Sequence, residues 1–242
     1  MSLAEVRARL GRAALLFDFD GTLSPIVDRP QDARPADGAV EVLRSLMERA
    51  ATVAIVSGRR EVFLREQLPI DGLQVVGLHG VDPDHRMPPH VIEAVRSIAA
   101  GEPGAVAEEK LATVAIHVRT SPDPEAATAR IAPLIAALAQ MHGLRVLEGR
   151  KVLELVPPGA GKGEVVAKIV AREGIEAALY AGDDVGDVPA FVALEDAAAR
   201  GVAICRVAVV GDETPPELRD RADVKVPGPD ALVRSLRDLE RS

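Results

Sequence analysis

Two aspartates stand two residues apart where a short apolar run ends. The run covers residues 13–19 (AALLFDF), and Asp18 and Asp20 lie at its end, followed by Gly21 and Thr22. Two neighbouring carboxylates are unfavourable unless a cation or a proton joins them. The pair therefore suits a hard cation such as Mg²⁺, which takes oxygen ligands and commonly shares a substrate phosphate. The alternative explanation is an acidic turn that caps a helix.

A second group of acids follows another apolar run, at residues 177–181. It has the sequence GDDVGD and contains Asp183, Asp184 and Asp187. Three carboxylates within five residues also favour a cation, although a solvated acidic loop is the simpler alternative.

A hydroxyl group follows the apolar run at residues 52–56 (TVAIV), in the segment Ser57-Gly58-Arg59. A hydroxyl and free backbone N–H groups at the start of a helix can form an anion site. Serine is also an ordinary N-cap residue, so this segment is ambiguous by itself.

A lysine stands between two glycines, in Gly161-Lys162-Gly163. The segment fails the Walker A pattern, because position 156 is Val where that pattern needs Gly and Gly163 replaces the Ser or Thr that holds Mg²⁺. The helix dipole disfavours a lysine at a helix N-terminus. The sequence therefore predicts a counter-anion beside Lys162.

Short apolar runs alternate with segments of helical spacing over much of the chain. Continuous apolar strands separated by helices predict a doubly wound parallel sheet of the α/β class, covered on both faces. Catalytic groups in such sheets lie beyond the carboxyl ends of the strands. The predicted strands lie at residues 13–19, 52–56, 74–78, 177–181 and 202–210.

The middle of the chain has a different pattern. Residues 82–89 are rich in turn formers, and residues 113–119 alternate between apolar and polar side chains. Alternation predicts an antiparallel sheet with one buried face. A helix is expected at 124–142, and then a hairpin of 144–148 and 151–156 with Gly149 leading a type II′ turn. We therefore predict a core of residues 1–81 and 158–242 with an inserted α+β module at 82–157.

These motifs, in this order and spacing, resemble those of the haloacid dehalogenase-like (HAD) phosphatases. Longer segments resemble the trehalose-6-phosphate phosphatase family, and the resemblance spans residues 15 to about 192. It implies a HAD-like core with the module as a cap that sets substrate specificity. Two departures are Gly186, where the last family motif has Thr, and Val118, where the module has Tyr. The matching segments are DFDGTLSPIV, VSGR, GLHG, EEKLATVAIHVR, KVLELVPPGAGKGE and GDDVGD.

The resemblance implies a Mg²⁺-dependent hydrolysis of trehalose 6-phosphate through a phosphoaspartyl intermediate. Asp18 is then the nucleophile and Asp20 the general acid and base. Three further sets of residues receive roles from the resemblance. They are Asp18, Asp20, Asp183, Asp184 and Asp187 for the metal; Thr22, Ser57, Gly58 and Lys162 for phosphate; and Glu108, Lys110, Arg119 and Glu154 for the sugar.

Three other functions share some of these motifs. A phosphatase for another sugar phosphate, of the sucrose phosphate or mannosyl phosphate type, needs the same core residues. A phosphomutase does too, so only an assay separates it from a hydrolase. A catalytically inactive binding module is disfavoured, because both Asp18 and Asp20 are present.

Composition excludes several further classes of protein. The 242 residues carry a net charge of −8, with four Phe, one Tyr and no Trp, which argues against nucleic-acid binding. Cys205 is the only cysteine and cannot form an internal disulfide. No apolar run reaches the ~18–20 residues of a membrane helix, and acid and Arg interrupt any signal-peptide core in the first 17 residues. We expect a cytoplasmic monomer whose partner is a small sugar phosphate.

Overall fold

The computed structural model describes residues 2–27, 29–81, 84–110, 112–212 and 214–240. The chain divides into two compact units, residues 1–80 with 162–242 and residues 81–161. The sequence predicts a module of residues 82–157, which begins one residue later and ends four residues earlier than the smaller unit. The strands are β1 (Ala13–Phe17), β2 (Thr52–Val56), β3 (Gln74–Val76), β4 (Val106–Glu109), β5 (Val114–His117), β6 (Arg145–Gly149), β7 (Val152–Val156), β8 (Ala177–Gly182), β9 (Ala203–Val210) and β10 (Val224–Pro227).

Helices lie between most of these strands. Short 3₁₀ turns are present at Leu10–Arg12, Pro30–Asp32, Leu78–Gly80 and Val185–Asp187. Among the described residues, no helix combines the length and the apolar character needed to cross a membrane. The α-helices are α1 (Leu3–Arg7), α2 (Ala39–Met47), α3 (Glu61–Gln67), α4 (Pro89–Ala100), α5 (Pro124–His142), α6 (Lys162–Val170), α7 (Val188–Ala199), α8 (Pro216–Arg221) and α9 (Pro229–Glu240).

The larger unit contains a parallel sheet with the strand order β10-β9-β8-β1-β2-β3. All five residues of β1 are buried, and they alternate between two apolar layers. Leu15 and Phe17 pack with α1, α2, α3 and α9, whereas Ala14 and Leu16 pack with α6, α7 and α8. Because alternate strand residues point to opposite faces, helices cover the sheet on both sides. The predicted doubly wound α/β fold is thereby confirmed.

The order of the strands places a topological switch point between β1 and β8. The chain runs outward from β1 through β2 to β3, and later resumes at β8 on the other side of β1. Phe17 and Ala181 are register partners, and the Asp18 N–H donates to the Ala181 carbonyl at 3.0 Å. The residues that follow both strands therefore emerge side by side, in the crevice where sheets of this kind bind ligands.

The smaller unit is an antiparallel sheet, β4-β5-β7-β6, that packs against α4 and α5. The alternating apolar side chains of Val114, Ile116 and Val118 lie in its core, as the sequence predicts. The predicted type II′ turn is wrong. Gly149 pairs with Val152 inside the ladder, and the positive φ of +57° falls on Lys151, the second loop residue.

Candidate active site

Asp18 lies directly beyond β1 and is buried. Its Oδ1 is 3.0 Å from the ammonium nitrogen of Lys162, the first residue of α6. Burial raises the pKa of Asp18 well above its usual range. Lys162 lowers that pKa, while Asp187, Asp183 and Asp20 raise it further. The site therefore concentrates more negative charge than Lys162 offsets.

Three buried carboxylates meet at this point. Asp18, Asp183 and Asp187 each offer an oxygen, and these oxygens lie within 4.8 Å of one another. A group of carboxylate oxygens fits a hard divalent cation, and such a cation would supply the missing positive charge. The side chain of Asp184, a predicted ligand, lies outside this set and accepts a hydrogen bond from the Val185 N–H at 2.7 Å.

Asp187 is held by protein donors on both of its oxygens. Its Oδ1 accepts hydrogen bonds from the Lys162 ammonium at 2.6 Å and from the Tyr180 hydroxyl at 2.7 Å. Its Oδ2 accepts the backbone N–H groups of Asp183 and Asp184, each at 3.0 Å. Asp187 thus orders both the acidic loop and Lys162, and its role as a metal ligand stays a prediction.

Gly21 and Thr22, the two residues after Asp20, lie against the side chain of Asp183. The Thr22 hydroxyl is buried and donates to Asp183 Oδ1 at 3.4 Å, so this predicted phosphate ligand contacts a predicted metal ligand. Gly21 has a φ of +75°, and a Cβ at this position would overlap the Asp183 carboxylate. Only glycine allows so close an approach in this conformation.

Asp20 is paired with Arg59. The guanidinium donates from Nε to Oδ2 at 2.7 Å and from Nη2 to Oδ1 at 2.6 Å. Arg59 also donates to the Pro30 carbonyl at 2.7 Å, and its guanidinium carbon lies 4.7 Å from the centre of the Phe63 ring. The sequence reasoning gave Arg59 no role, although its place two residues after Ser57 was a usable signal.

Ser57 follows β2, the strand on the other side of β1 from β8. It is buried, and its hydroxyl accepts a hydrogen bond from the Arg59 backbone N–H at 3.2 Å. A Cβ on Gly58 would lie 2.6 Å from Nε2 of His79, so this glycine allows the imidazole to pack against the turn. Phosphate binding by Ser57 and Gly58 stays a prediction.

A second polar cluster lies in the smaller unit. Lys110 Nζ is 3.0 Å from Glu154 Oε2 and 3.5 Å from Glu108 Oε2, and the buried Thr113 hydroxyl donates to Glu154 Oε1. His117 Nε2 lies 2.7 Å from Glu108 Oε2. Burial would lower the pKa of Lys110, but Glu154 and Glu108 raise it above its usual value. The hydrogen bond to His117 lowers the pKa of Glu108.

The structure brings together three of the four predicted sugar-binding residues. Glu108, Lys110 and Glu154 form this cluster, and Thr113 and His117 belong to it without having been predicted. Arg119 is exposed beyond the end of β5, and no described contact joins it to the cluster. Its role in substrate binding stays a prediction.

Four features define a haloacid dehalogenase-like hydrolase fold. They are a parallel sheet with an inserted antiparallel module, an Asp-x-Asp pair after β1, a lysine at the start of α6, and an acidic loop after β8. The trehalose-phosphatase family model matches residues 16–88 and 83–223. The chain therefore belongs to the trehalose-phosphatase family, as the motifs predict.

Two relatives are similar to about three quarters of this chain. An uncharacterized glycosyl hydrolase of Mycobacterium tuberculosis is 37% identical over 209 residues, which are 76% of this chain and 15% of that protein. A trehalose-phosphate phosphatase of Mycobacterium avium is 34% identical over 212 residues, or 79% and 54% of the two chains. The chain thus spans about half the length of that phosphatase and a smaller part of the first relative.

A solved structure has the same fold. The C-terminal domain of Candida albicans trehalose-6-phosphate phosphatase superposes with a TM-score of 0.82, covering 98% of this chain and 94% of that one. At 22% sequence identity this likeness establishes the fold alone.

Proposed function

We propose that this chain is a Mg²⁺-dependent phosphatase that hydrolyses trehalose 6-phosphate to trehalose and inorganic phosphate through a phosphoaspartyl intermediate. The observation that carries the proposal is the buried contact between Asp18 and Lys162 within a group of carboxylates at the switch point of the sheet. Membership of the trehalose-phosphatase family supports the choice of substrate.

In the first step, Asp18 attacks phosphorus, and a bond from its carboxylate to phosphorus forms as the bond to the sugar oxygen breaks. Covalent catalysis of this kind divides one difficult displacement into two easier ones. Asp20 gives a proton to the departing sugar oxygen. For this step the Asp20 carboxyl must reach that oxygen, so the arginine that holds it, Arg59, is part of the machinery.

In the second step, Asp20 takes a proton from water, which attacks phosphorus and releases Asp18 and inorganic phosphate. Lys162 and Ser57 bind the phosphoryl oxygens, where charge must be neutralised during transfer. When bound, Mg²⁺ supplies further charge neutralisation at the phosphoryl group. Asp18, Asp183 and the backbone carbonyl of Asp20 would hold it, with Asp184 or Asp187 behind these ligands.

The sugar is assigned to the polar cluster of the smaller unit. Glu108, Lys110 and Glu154 combine two carboxylates with an ammonium at 3.0 and 3.5 Å. Charged acceptors and donors form strong hydrogen bonds with hydroxyl groups. Such a cluster suits a neutral polyol whose hydroxyl groups are its main handles, and trehalose is one.

Phosphate release from a panel of sugar phosphates tests the proposal. Trehalose 6-phosphate should be preferred over sucrose 6-phosphate, a mannosyl phosphate and glucose 6-phosphate. Asp18→Asn and Asp20→Asn should each lower kcat by orders of magnitude, and the exposed Asp37→Asn is the matched control. If another sugar phosphate is preferred, that compound and not trehalose 6-phosphate is the substrate. An isomerised sugar phosphate without phosphate release would indicate a mutase, and full activity of Asp18→Asn would refute the phosphoaspartyl mechanism.

We further propose that the protein acts as a monomer in the cytoplasm. The single cysteine supports this location, because disulfides are rare where thiols are kept reduced. Light scattering after size exclusion should give a mass near the 25.5 kDa of one chain, and twice that mass would contradict the monomer.

A further inference from the structure

Tyr180 is the only tyrosine of the sequence, and its side chain is buried in β8. Its ring and the ring of Phe191 meet edge to face, with the ring centres 6.2 Å apart. A phenylalanine would fill this apolar layer without any polar atom. The Tyr180 hydroxyl instead donates to Asp187 Oδ1 at 2.7 Å.

This hydroxyl completes the set of donors around Asp187. Oδ2 is bound by two backbone N–H groups, and Oδ1 is shared by the Tyr180 hydroxyl and the Lys162 ammonium. A carboxylate has about four acceptor positions. With four donors in place, rotation of the Asp187 carboxylate would break several hydrogen bonds at once, so its orientation is fixed.

The fixed carboxylate in turn places Lys162. An ammonium group has three N–H donors. Among the described residues, Lys162 directs donors to Asp187 at 2.6 Å and to Asp18 at 3.0 Å. Its third N–H is therefore left for a ligand beside Asp18, which is where a phosphoryl group must lie for attack by that carboxylate.

We propose that Tyr180 is a positioning residue for phosphoryl binding, acting through Asp187 on Lys162. The proposal rests on the proposed function and adds to it a residue that touches neither substrate nor metal. Without the hydroxyl, Lys162 is the one donor left on Oδ1 of Asp187 among the described residues, so this oxygen can shift and draw the ammonium away from Asp18. Displacements of ~1 Å in a reacting group are enough to reduce catalysis strongly.

The test measures binding of inorganic phosphate by calorimetry in excess Mg²⁺. Tyr180→Phe keeps the ring and removes only the hydroxyl, so we expect phosphate to bind about tenfold more weakly, as for one hydrogen bond to a charged group. Phe191→Leu is the matched control, because it loosens the same packing without touching Asp187. It should lower the melting temperature and leave phosphate affinity within about twofold.

The route through Lys162 is tested in a Lys162→Met background. There, adding Tyr180→Phe should change phosphate affinity by less than about twofold, because the group on which Tyr180 acts is gone. Wild-type affinity in Tyr180→Phe, or an equal loss with and without Lys162, would overturn the proposal. If Tyr180→Phe weakens phosphate binding only when Lys162 is present, while no sugar phosphate is hydrolysed, the proposed substrate is wrong and the positioning role of Tyr180 stands.

A second measurement covers the case in which Tyr180→Phe does not fold. Because the sequence has a single tyrosine, 3-fluorotyrosine labelling places one fluorine next to the Tyr180 hydroxyl. Phosphate should shift that one ¹⁹F resonance in the otherwise native protein, with the affinity found by calorimetry. A resonance that stays unmoved at saturating phosphate would contradict the coupling.

Discussion

Arg59 holds Asp20 by two hydrogen bonds, from Nε to Oδ2 at 2.7 Å and from Nη2 to Oδ1 at 2.6 Å. The two residues follow different strands, β1 and β2, which are neighbours in the sheet. A bidentate pair of this kind fixes the plane of the carboxylate as well as its position. The location of the proposed acid and base is therefore set from the turn after β2.

This pairing predicts a loss of activity in Arg59→Gln. Without the guanidinium, Asp20 is no longer held, and kcat for a sugar phosphate should fall about 10- to 100-fold, less than the ~10²–10⁴-fold that a positioned general acid or base contributes, because Asp20 itself remains. The fall should be smaller for p-nitrophenyl phosphate, whose leaving group needs no proton. Steady-state kinetics with both substrates make the comparison.

Arg60→Gln is the matched control for this variant. Arg60 is exposed and has no described contact with Asp20. Its replacement by Gln changes the net charge by the same amount as Arg59→Gln. Its kinetics should be those of the wild type. Equal losses on both substrates in Arg59→Gln would show that the effect does not lie in protonation of the leaving group.

Asp18 is expected to reduce stability in the absence of a divalent cation. Its pKa in the folded protein is raised, mainly by burial, so the folded state binds this proton more tightly than the unfolded state does. Stability is therefore lost as the pH rises from the ordinary value of 3.8 towards the raised pKa. Asp18→Asn should melt a few degrees above the wild type at pH 7 in EDTA, with a smaller difference near pH 4.

Mg²⁺ should reverse that difference. It should raise the melting temperature of the wild type at pH 7, because binding to the folded state alone is stabilising, and should have less effect on Asp18→Asn. Differential scanning fluorimetry with and without Mg²⁺ measures both effects. A wild type that Mg²⁺ leaves unchanged, and that turns over fully in EDTA, would contradict the metal site.

Thr113→Val should weaken the polar cluster of the smaller unit. The variant keeps the shape of the side chain but removes the hydroxyl that donates to the buried Glu154. An unsatisfied buried partner costs about 1–3 kcal/mol, so the protein should be less stable and KM for trehalose 6-phosphate should rise. In Thr128→Val, the control, the lost hydroxyl binds only a carbonyl of its own helix.

Glu154→Ala provides the test of specificity at the same cluster. The ratio of kcat/KM for trehalose 6-phosphate to that for glucose 6-phosphate should fall, because the second sugar of trehalose loses a charged acceptor. An unchanged ratio would remove Glu154 from the substrate site.

Cys205 should be unreactive in the folded protein. Its side chain is fully buried in β9, and burial is the main cause that raises its pKa to about 12. At pH 8 the thiolate fraction is then about 10⁻⁴, and the thiolate is the reactive form. A thiol reagent such as DTNB should find no thiol in the native protein and one per chain in denaturant. Rapid native labelling would show that β9 opens.

Local sequence patterns were sufficient for most strands of the two sheets, but they did not predict β4, β10 or helix α4. They also supplied the candidate site residues, whose roles stay predictions. The apolar runs of β1, β2 and β8 and the acids after them predict a parallel sheet with chemistry at its carboxyl edge, since strand burial and chain reversal are encoded within a few residues. The turn at residues 149–151 was predicted wrongly, because its φ values depend on which residues the ladder of β6 and β7 pairs.

Contacts between distant parts of the chain were decided only by the tertiary structure. Residue types and spacing by themselves determined an α/β core, an inserted antiparallel module and a set of acids suited to a hard cation. The strand order then brought Arg59 to Asp20 across 39 positions and Lys162 to Asp187 across 25, and it turned Tyr180 toward the same carboxylate. A periodic pattern specifies which face of an element is buried. Which polar atom lies opposite a given side chain depends on neighbouring strands that are far away in the sequence.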